Sequence, residues 1–313
     1  MPDVSVVVPT RNRARLLRQA LRTVRWQRGV DLEAVVVDDG STDHTAEWVA
    51  GLGDPRVRVV RHERALGASV ARNRGSAAAQ GRYIAFLDDD DLWAPDKLIA
   101  QLAAMFRQRR HWSTTGAVSV DHALHVLGGE LPPEEITAGY PRYNALSVGA
   151  SGLLVSADLL AEVDGFDTAL RHLSDWDLWL RLAAVGLPAV VPRPLVAYRL
   201  HRDAAALAAA LDPARALAEV DMIADRYGIT ADRVAVRRRM GWTALRLGHR
   251  RMAVRCYAAA MREGDWRSAT RSGGAFTAAG AGQRVSVRPF GRRRLKQSAL
   301  AEASRWLWDA GQA

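Results

Sequence analysis

The sequence predicts an α/β fold: a largely parallel sheet flanked by helices, followed by a basic helical region. Three observations predict it. Short β-branched runs alternate with segments whose apolar residues fall at helical spacing, as in a parallel sheet with crossover helices. Those runs end in Asp, Arg and Asn, and open parallel sheets bind ligands beyond the carboxyl ends of their strands. After about residue 203 the strand signal stops, and the chain turns alanine-rich and then basic. The expected division is therefore 1–203 and 204–313.

The elements follow in order. Val4-Ser5-Val6-Val7-Val8 reads as a buried strand ending at Pro9-Thr10. A helix over 12–26 aligns Leu16, Leu17, Ala20, Leu21 and Val24 on one face. Ala34-Val35-Val36-Val37 is a second buried strand, ending at Asp38-Asp39-Gly40-Ser41, and a helix starts at Thr45 with Ser41 or Asp43 as candidate cap. Val57-Arg58-Val59-Val60 is the third strand, 68–79 a helix, and Tyr83-Ile84-Ala85-Phe86-Leu87 the fourth strand. That strand runs directly into Asp88-Asp89-Asp90-Asp91. Residues 109–150 carry weaker signals: a strand at Val118-Ser119-Val120, then a proline-bearing loop entering a short helix from Leu131. Leu178-Trp179-Leu180-Arg181-Leu182 is periodic after Asp177.

Beyond 203, Asp212-Pro213 is a helix start. Residues 232–247 and 249–262 form a helical hairpin broken at Gly248. Ala244, Leu245, Gly248, Ala253, Tyr257 and Ala260 are similar to part of a tetratricopeptide repeat, but one repeat does not make an array, and a plain helical extension is the simpler reading. Ser272-Gly273-Gly274 and Gly280-Ala281-Gly282 read as linkers.

The chain has 313 residues, 49% hydrophobic and 25% charged, which fits about two globular domains and excludes a disordered or fibrous protein. No apolar run approaches the ~18 residues of a spanning helix, and the start lacks the pattern of a secretory signal. Cys256 is the single cysteine, which excludes an internal disulfide or a Cys-based zinc site. These features predict a cytoplasmic protein, soluble or peripheral at the inner face of the membrane. Residues 1–200 hold 23 Lys+Arg against 24 Asp+Glu, so the net charge of +10 resides entirely in the last third. That split argues against nucleic acid as a partner of the whole chain. In 284–308, basic residues surround Phe290, Leu295, Leu300, Trp306 and Leu307, a pattern that suits either an interfacial helix on an anionic membrane or a helix packed on its own domain.

No Gly-x-Gly-x-x-Gly follows the first strand and no P-loop motif occurs, so a dinucleotide or P-loop fold is disfavoured. Four successive carboxylates repel one another unless a cation compensates. Their place after a buried strand, before the apolar Leu92-Trp93, favours a divalent ion with oxygen ligands, Mg²⁺ or Mn²⁺, over a solvated acidic turn.

Five segments carry a resemblance. Val4 to Arg13, Val37-Asp38-Asp39-Gly40-Ser41-Thr42-Asp43, Gly67 to Gly75, Phe86 to Trp93, and Gly165-Phe166-Asp167 with Asp175-Trp176-Asp177-Leu178-Trp179 resemble, in this order, motifs of family 2 glycosyltransferases with the GT-A nucleotide-diphospho-sugar transferase fold. The resemblance covers residues 3 to about 201. It implies a mixed Rossmann-like sheet, a nucleotide-diphosphate sugar donor (UDP, GDP or dTDP type), a divalent metal and an inverting transfer to an acceptor hydroxyl, in many such enzymes lipid-linked. It also implies roles: Pro9, Thr10 and Arg11 line the base pocket, Asp39 takes the base edge, and Arg72 reaches base or phosphates. Asp88 and Asp89 lie by ribose and phosphates, Asp90 holds the metal, and Asp175 is the base. His201 corresponds to a metal-binding histidine of some members; a surface histidine at a domain boundary is the competing reading. Arg11 stands where the family often has an aromatic residue, and Ser174 where it usually has Glu, although Ser174 still suits a helix cap. Asp177, and less readily Asp175, suits simple charging of a first helical turn.

Two other readings are weighed. A nucleotidyltransferase shares the nucleotide, metal and carboxylates, but the glycine-rich loop usual after its first strand is absent from Arg11-Asn12-Arg13. A non-catalytic adaptor using the basic C-terminal region requires a decayed site, against the intact Asp39, Asp88, Asp90 and Asp175.

Overall fold

The computed structural model describes residues 1–132, 149–201, 212–264 and 297–312. The strands are β1 (Val4–Thr10), β2 (Leu32–Asp38), β3 (Val57–Arg61), β4 (Tyr83–Phe86), β5 (Leu92–Trp93), β6 (Trp112–Val120), β7 (Val126–Glu130), β8 (Leu154–Ser156) and β9 (Ala189–Arg199). The helices are α1 (Ala14–Arg25), α2 (Thr45–Ala50), α3 (Ala68–Ala78), α4 (Lys97–Gln108), α5 (Ala157–Glu162), α6 (Ser174–Val185), α7 (Pro213–Tyr227), α8 (Arg233–Arg246), α9 (Arg250–Arg262) and α10 (Gln297–Gln312).

The chain forms two compact units. Of the described residues, the first holds 1–132, 149–199 and 297–312; the second holds 200–201 and 212–264. Composition put all of 204–313 in one region, but its last helix, α10, packs in the first unit.

Among the described residues, all nine strands join one mixed sheet in the first unit. Its N-terminal half is parallel, in the order β3-β2-β1-β4. β1 and β2 are buried along their whole length because both faces are covered, which is why they read as unbroken apolar runs. Their register sets Thr10 beside Asp38, and Val7 beside Phe86 on the other side of β1. The chain winds outward from β1 to β3 and then returns across β1 to form β4. The strand order therefore reverses between β1 and β4, and a ligand crevice opens at the carboxyl side of such a reversal.

The α3 helix can reach the sheet because of Gly75: a Cβ there would stand 2.3 Å from Val7 Cγ1 and 2.9 Å from Val37 Cγ2. This close approach carries Arg72, one turn earlier, to the ligand end of the sheet.

The other half of the sheet is antiparallel and mixed: β8 pairs antiparallel with β4 and β6, and β6 runs parallel to β9. β9 has little strand signal in its sequence, because Pro192 and Pro194 interrupt its pattern. The β6–β9 ladder absorbs them through register shifts around Gly116. α10 packs against this half. Ala303, Trp306, Leu307 and Ala310 join the first unit's core, and Arg193 joins the helix to the rest of the unit through ion pairs to Glu302 and Asp96. Of the two readings of 284–308, the apolar anchors Trp306 and Leu307 thus follow the packed one; residues 284–296 lie outside the described residues, as do the linkers near 273 and 281. No helix of the described residues is long and apolar enough to cross a membrane.

In the second unit, Asp212 and Asp232 cap α7 and α8 by accepting from Arg215 N and Ala235 N. α8 and α9 form the expected hairpin, turning at Gly248 with φ +85°. Gly241 lets the Tyr257 ring lie 3.0 Å from where its Cβ would be.

Candidate active site

Three strand ends meet at the reversal point. Pro9 and Thr10 are the buried last residues of β1, and Arg11 is exposed just beyond. Asn12 takes φ 53°, which an Asn tolerates better than most residues. Its N–H donates to Ser41 Oγ at 2.9 Å and its Oδ1 accepts from Thr42 N at 2.7 Å, tying the turn after β1 to the turn after β2. Ser41 is thus engaged by Asn12, and the local bond to α2 comes from Asp43, which accepts from Thr45 N at 3.1 Å.

Gly40, at φ +69°, packs on the backbone of Arg64, closer than any side chain allows. Asp39 beside it organises the segment 62–67. It accepts from Leu66 N at 2.9 Å and Gly67 N at 2.8 Å and lies 2.8 Å from His62 Nδ1. Burial pushes the Asp39 carboxyl up, but these bonds outweigh it and hold the group below its ordinary range.

The four aspartates divide into separate tasks. Asp91 is fully buried and structural: Ser151 Oγ donates to it at 2.6 Å and Arg199 N at 3.2 Å. Ser151 Oγ also accepts from Asp88 N at 3.1 Å, so one hydroxyl braces the turn. Burial, with the Asp90 and Asp88 charges, pushes Asp91 well above the usual carboxylate range. Asp89 is buried and accepts from Thr10 Oγ1 at 2.7 Å. Arg13 Nη1 lies 3.1 Å from Asp89 Oδ1 and 3.0 Å from Asp90 Oδ2. Burial and the neighbouring Asp90 charge push Asp89 up to about 7, against the pull of Arg13 and Thr10. Asp88 pairs with Arg72 at 2.5 Å.

Arg72 is buried, its guanidinium 5.2 Å from the centre of the Phe166 ring, which meets Phe86 edge-on at 4.9 Å. Asn73 fixes Phe166 by donating to its carbonyl and accepting from its N–H, both at 2.8 Å. Burial works against the Arg72 charge, but Asp88, Asp175 and Asp90 outweigh it and raise its pKa. Asp175, half-buried in the first turn of α6, thus shares a field with Asp88 and Asp90; its Oδ2 lies 3.6 Å from where a Cβ on Gly149 would stand. Asp177 is wholly buried and pairs with Arg181 at 2.6 Å, a structural role. Ser174 does not cap α6: the capping position is Leu173, with no side-chain bond to the helix.

The structure therefore brings Thr10, Arg72, Asp88, Asp89, Asp90 and Asp175 together, with Asp39 at the end of the neighbouring strand. His201, half-buried, lies in the second unit. The site also uses Arg13, Asn73, Ser151 and Arg199. Asn73 was legible only as a motif letter, and Ser151 gave no signal, since its task depends on a turn 60 residues earlier.

The donor set suits a hard divalent cation. Asp88, Asp89 and Asp90 offer only oxygen, and Asp89, raised first by burial and then by the Asp90 charge, is a carboxylate that a nearby cation would favour in its charged form. Among the described residues no group of three His, Cys, Asp or Glu is arranged to hold a metal. A cation here would draw its remaining oxygens from water or a phosphate-bearing ligand, a common arrangement for Mg²⁺.

Comparison with known proteins identifies the family and the fold. The family profile described as Glycosyl transferase family 2 matches residues 5–121. The chain is 32% identical over 209 residues to the putative teichuronic acid biosynthesis glycosyltransferase TuaG of Bacillus subtilis, covering 64% of this chain and 79% of that protein. It is 30% identical over 183 residues to the Escherichia coli UDP-Glc:alpha-D-GlcNAc-diphosphoundecaprenol beta-1,3-glucosyltransferase WfgD, covering 57% of this chain and 69% of that protein. Against the succinoglycan biosynthesis protein ExoO of Rhizobium meliloti it is 47% identical over 98 residues, but spans only 28% of that protein's length. Among solved structures, the mannosyltransferase PcManGT of Pyrobaculum calidifontis, in complex with GDP-Man and Mn²⁺, shares the fold at TM-score 0.57 and 20% identity, covering 99% of this chain and 86% of that one. S. aureus TarS 1–349 with UDP-GlcNAc shares it at 0.53 and 16%, covering 94% and 99%. The fold is GT-A, and the chain belongs to glycosyl transferase family 2.

Proposed function

We propose that this glycosyltransferase moves a sugar from a nucleoside-diphosphate donor to an acceptor hydroxyl with inversion, in the building of a cell-envelope polysaccharide. The observation that carries the reading is the gathering of Asp88, Asp89, Asp90 and Asp175 around Arg72 at the strand-order reversal. In this reading the base lies toward Pro9, Thr10, Arg11 and Asp39, and Arg72, with Asp88 and Asp89, faces ribose and phosphates. A Mn²⁺ or Mg²⁺ held by Asp90 would supply charge stabilisation to the departing diphosphate, where negative charge grows in the transition state.

The reaction is one displacement. The acceptor oxygen attacks the anomeric carbon as the bond to the diphosphate breaks. Asp175 takes the acceptor's proton, as a carboxylate on the far face of the sugar can. Arg72 keeps its charge beside the carboxylates and is aimed by Asp88 and the Phe166 ring. The names of WfgD and TuaG support a polysaccharide product and a lipid-linked acceptor. Such an acceptor would hold the protein at the inner face of the membrane, with the basic residues of 284–296 as the contact, since Trp306 and Leu307 are engaged in the core.

The test is thermal stabilisation by UDP, GDP, dTDP and CDP, each with and without Mn²⁺, on wild type and Asp90→Ala. A ligand at about 100 times its Kd adds about 2.7 kcal/mol. Mn²⁺-dependent stabilisation by one nucleotide, lost in Asp90→Ala, is the expected result. Indifference to all four would sink the reading.

A further inference from the structure

Arg13 stands where two carboxylates would share a cation. A single nitrogen, Nη1, lies 3.1 Å from Asp89 Oδ1 and 3.0 Å from Asp90 Oδ2. The other Asp89 oxygen is held by Thr10. The two partners differ in freedom. The Asp89 and Asp90 side chains are 6% and 12% exposed, while that of Arg13 is 29% exposed. The Arg13 backbone is anchored independently, its carbonyl accepting from Leu16 N at 2.9 Å and Leu17 N at 3.0 Å. The hydrogen bonds that fix the Arg13 backbone at the start of α1 therefore do not depend on where its guanidinium sits.

Its surroundings say where it would go. Arg13 is the N-cap residue of α1, whose first turn contains no acidic residue and whose end has no side-chain cap bond. A cation at the positive end of a helix is unfavourable for the helix alone, and favourable once an anion arrives. Arg72 and Arg199 also act on Asp90 through their charges, but Arg13 is the cation placed against both Asp89 and Asp90, where a shared divalent ion would stand.

We propose that Arg13 is an exchangeable counter-cation: it neutralises Asp89 and Asp90 in the free enzyme and is displaced from them onto the donor diphosphate when metal and nucleotide bind together. The inference rests on the metal–diphosphate reading above. It makes Arg13 a positioning residue that couples the two ligands. Bare metal must compete with the guanidinium, whereas metal arriving with a diphosphate offers the guanidinium a new partner. Free Mn²⁺ therefore binds weakly, and nucleotide strengthens it.

The test measures Mn²⁺ binding by the electron paramagnetic resonance signal of the free ion, for wild type, Arg13→Gln, Arg13→Lys and Asp90→Asn. Each is measured without nucleotide and with the nucleotide that the thermal survey selects. Circular dichroism melting confirms that each variant is folded, and Arg13→Lys, which keeps the charge, guards against a loss of structure in Arg13→Gln. The expected result is that Arg13→Gln binds bare Mn²⁺ about tenfold more tightly than wild type, as removal of a cation about 3 Å from the ligands predicts. The same variant should bind nucleotide more weakly at saturating Mn²⁺, and Arg13→Lys should stay near wild type for bare Mn²⁺. If Arg13→Gln binds bare Mn²⁺ no better than wild type while wild type still shows Mn²⁺-dependent nucleotide binding, the exchange is overturned and the metal reading stands. If no protein binds Mn²⁺ under either condition, the metal reading fails and the exchange fails with it.

Discussion

Thr10 Oγ1 donates a 2.7 Å hydrogen bond to Asp89 Oδ2, fastening the carboxyl end of β1 to an aspartate 79 residues later. The bond crosses the point where strand order reverses, and it orients a buried carboxylate already pushed up to about 7. Thr10→Val keeps the shape and removes the donor. The Asp89 carboxyl should then rise further, because the lost bond favoured its charged form. Nucleotide binding in Mn²⁺ should weaken about tenfold near neutral pH, in keeping with the ~1–3 kcal/mol cost of a buried polar group left unpaired. It should recover at higher pH, and Thr10→Ser should bind as wild type. Calorimetric titration across pH reads all three; equal affinity of Thr10→Val and wild type at every pH would remove the bond from the site's working parts.

Asp175 and Asp177, two residues apart on α6, should separate chemistry from architecture. Asp175→Asn removes the proton acceptor and is expected to lower turnover by about 10²–10⁴, the usual range for a general base. Donor affinity should hold. Asp177→Asn breaks the buried pair with Arg181 and should cost roughly 3 kcal/mol of folding stability, read as a lower urea midpoint. Loss of turnover in Asp177→Asn at full stability, with Asp175→Asn active, would exchange the roles.

The strands β1, β2 and β4 and the helix α1 were legible because burial writes periodicity into sequence. β9 was not, because Pro192 and Pro194 break its pattern and only the shifted register of β6 accommodates them. The place where the candidate site gathers could be read from strand ends alone, as with Thr10, Asp39 and Asp88. The division of labour among Asp88 to Asp91 could not. It depends on Ser151, Arg13, Arg72 and Arg199, which come from four other parts of the chain. Trp306 and Leu307 carry the composition of a membrane helix, and only the sheet they cover shows them to be core.

Gly75→Ala tests how closely α3 must approach the sheet. The added methyl would fall 2.3 Å from Val7 Cγ1, in the middle of paired strands that cannot yield cheaply. A loss of ~1–3 kcal/mol is expected. Arg72 shares this helix, so nucleotide affinity should fall as well. A urea midpoint within error of wild type would mean that α3 is not seated as described.

Cys256, buried on α9, has its thiol pushed up to about 11 by burial, which outweighs the pull of the Arg237 charge. The thiolate is the reactive form, so a thiol reagent near neutral pH should modify the folded protein far more slowly than the protein in urea. Rapid labelling of the native protein would indicate that the second unit opens readily.

Lys97 gives the clearest dependence of stability on pH. Its side chain is fully buried at the start of α4, with Nζ 3.8 Å from the centre of the Trp93 ring and no hydrogen-bond partner among the described residues. Burial holds its pKa well below the ordinary lysine value. The unfolded chain therefore binds this proton more readily than the folded one, between the lowered folded pKa and the unfolded value. Stability must rise with pH through that interval, and the penalty for burying the amine is complete below it. Lys97→Met fills similar volume without the charge, so it should be more stable than wild type near pH 7, and the difference should shrink as pH approaches about 10. Urea midpoints of the two proteins at several pH values isolate this one group, because every other titration is shared. If Lys97→Met is instead less stable at neutral pH, with a difference that does not change with pH, the attraction of the ammonium for the Trp93 ring outweighs its desolvation.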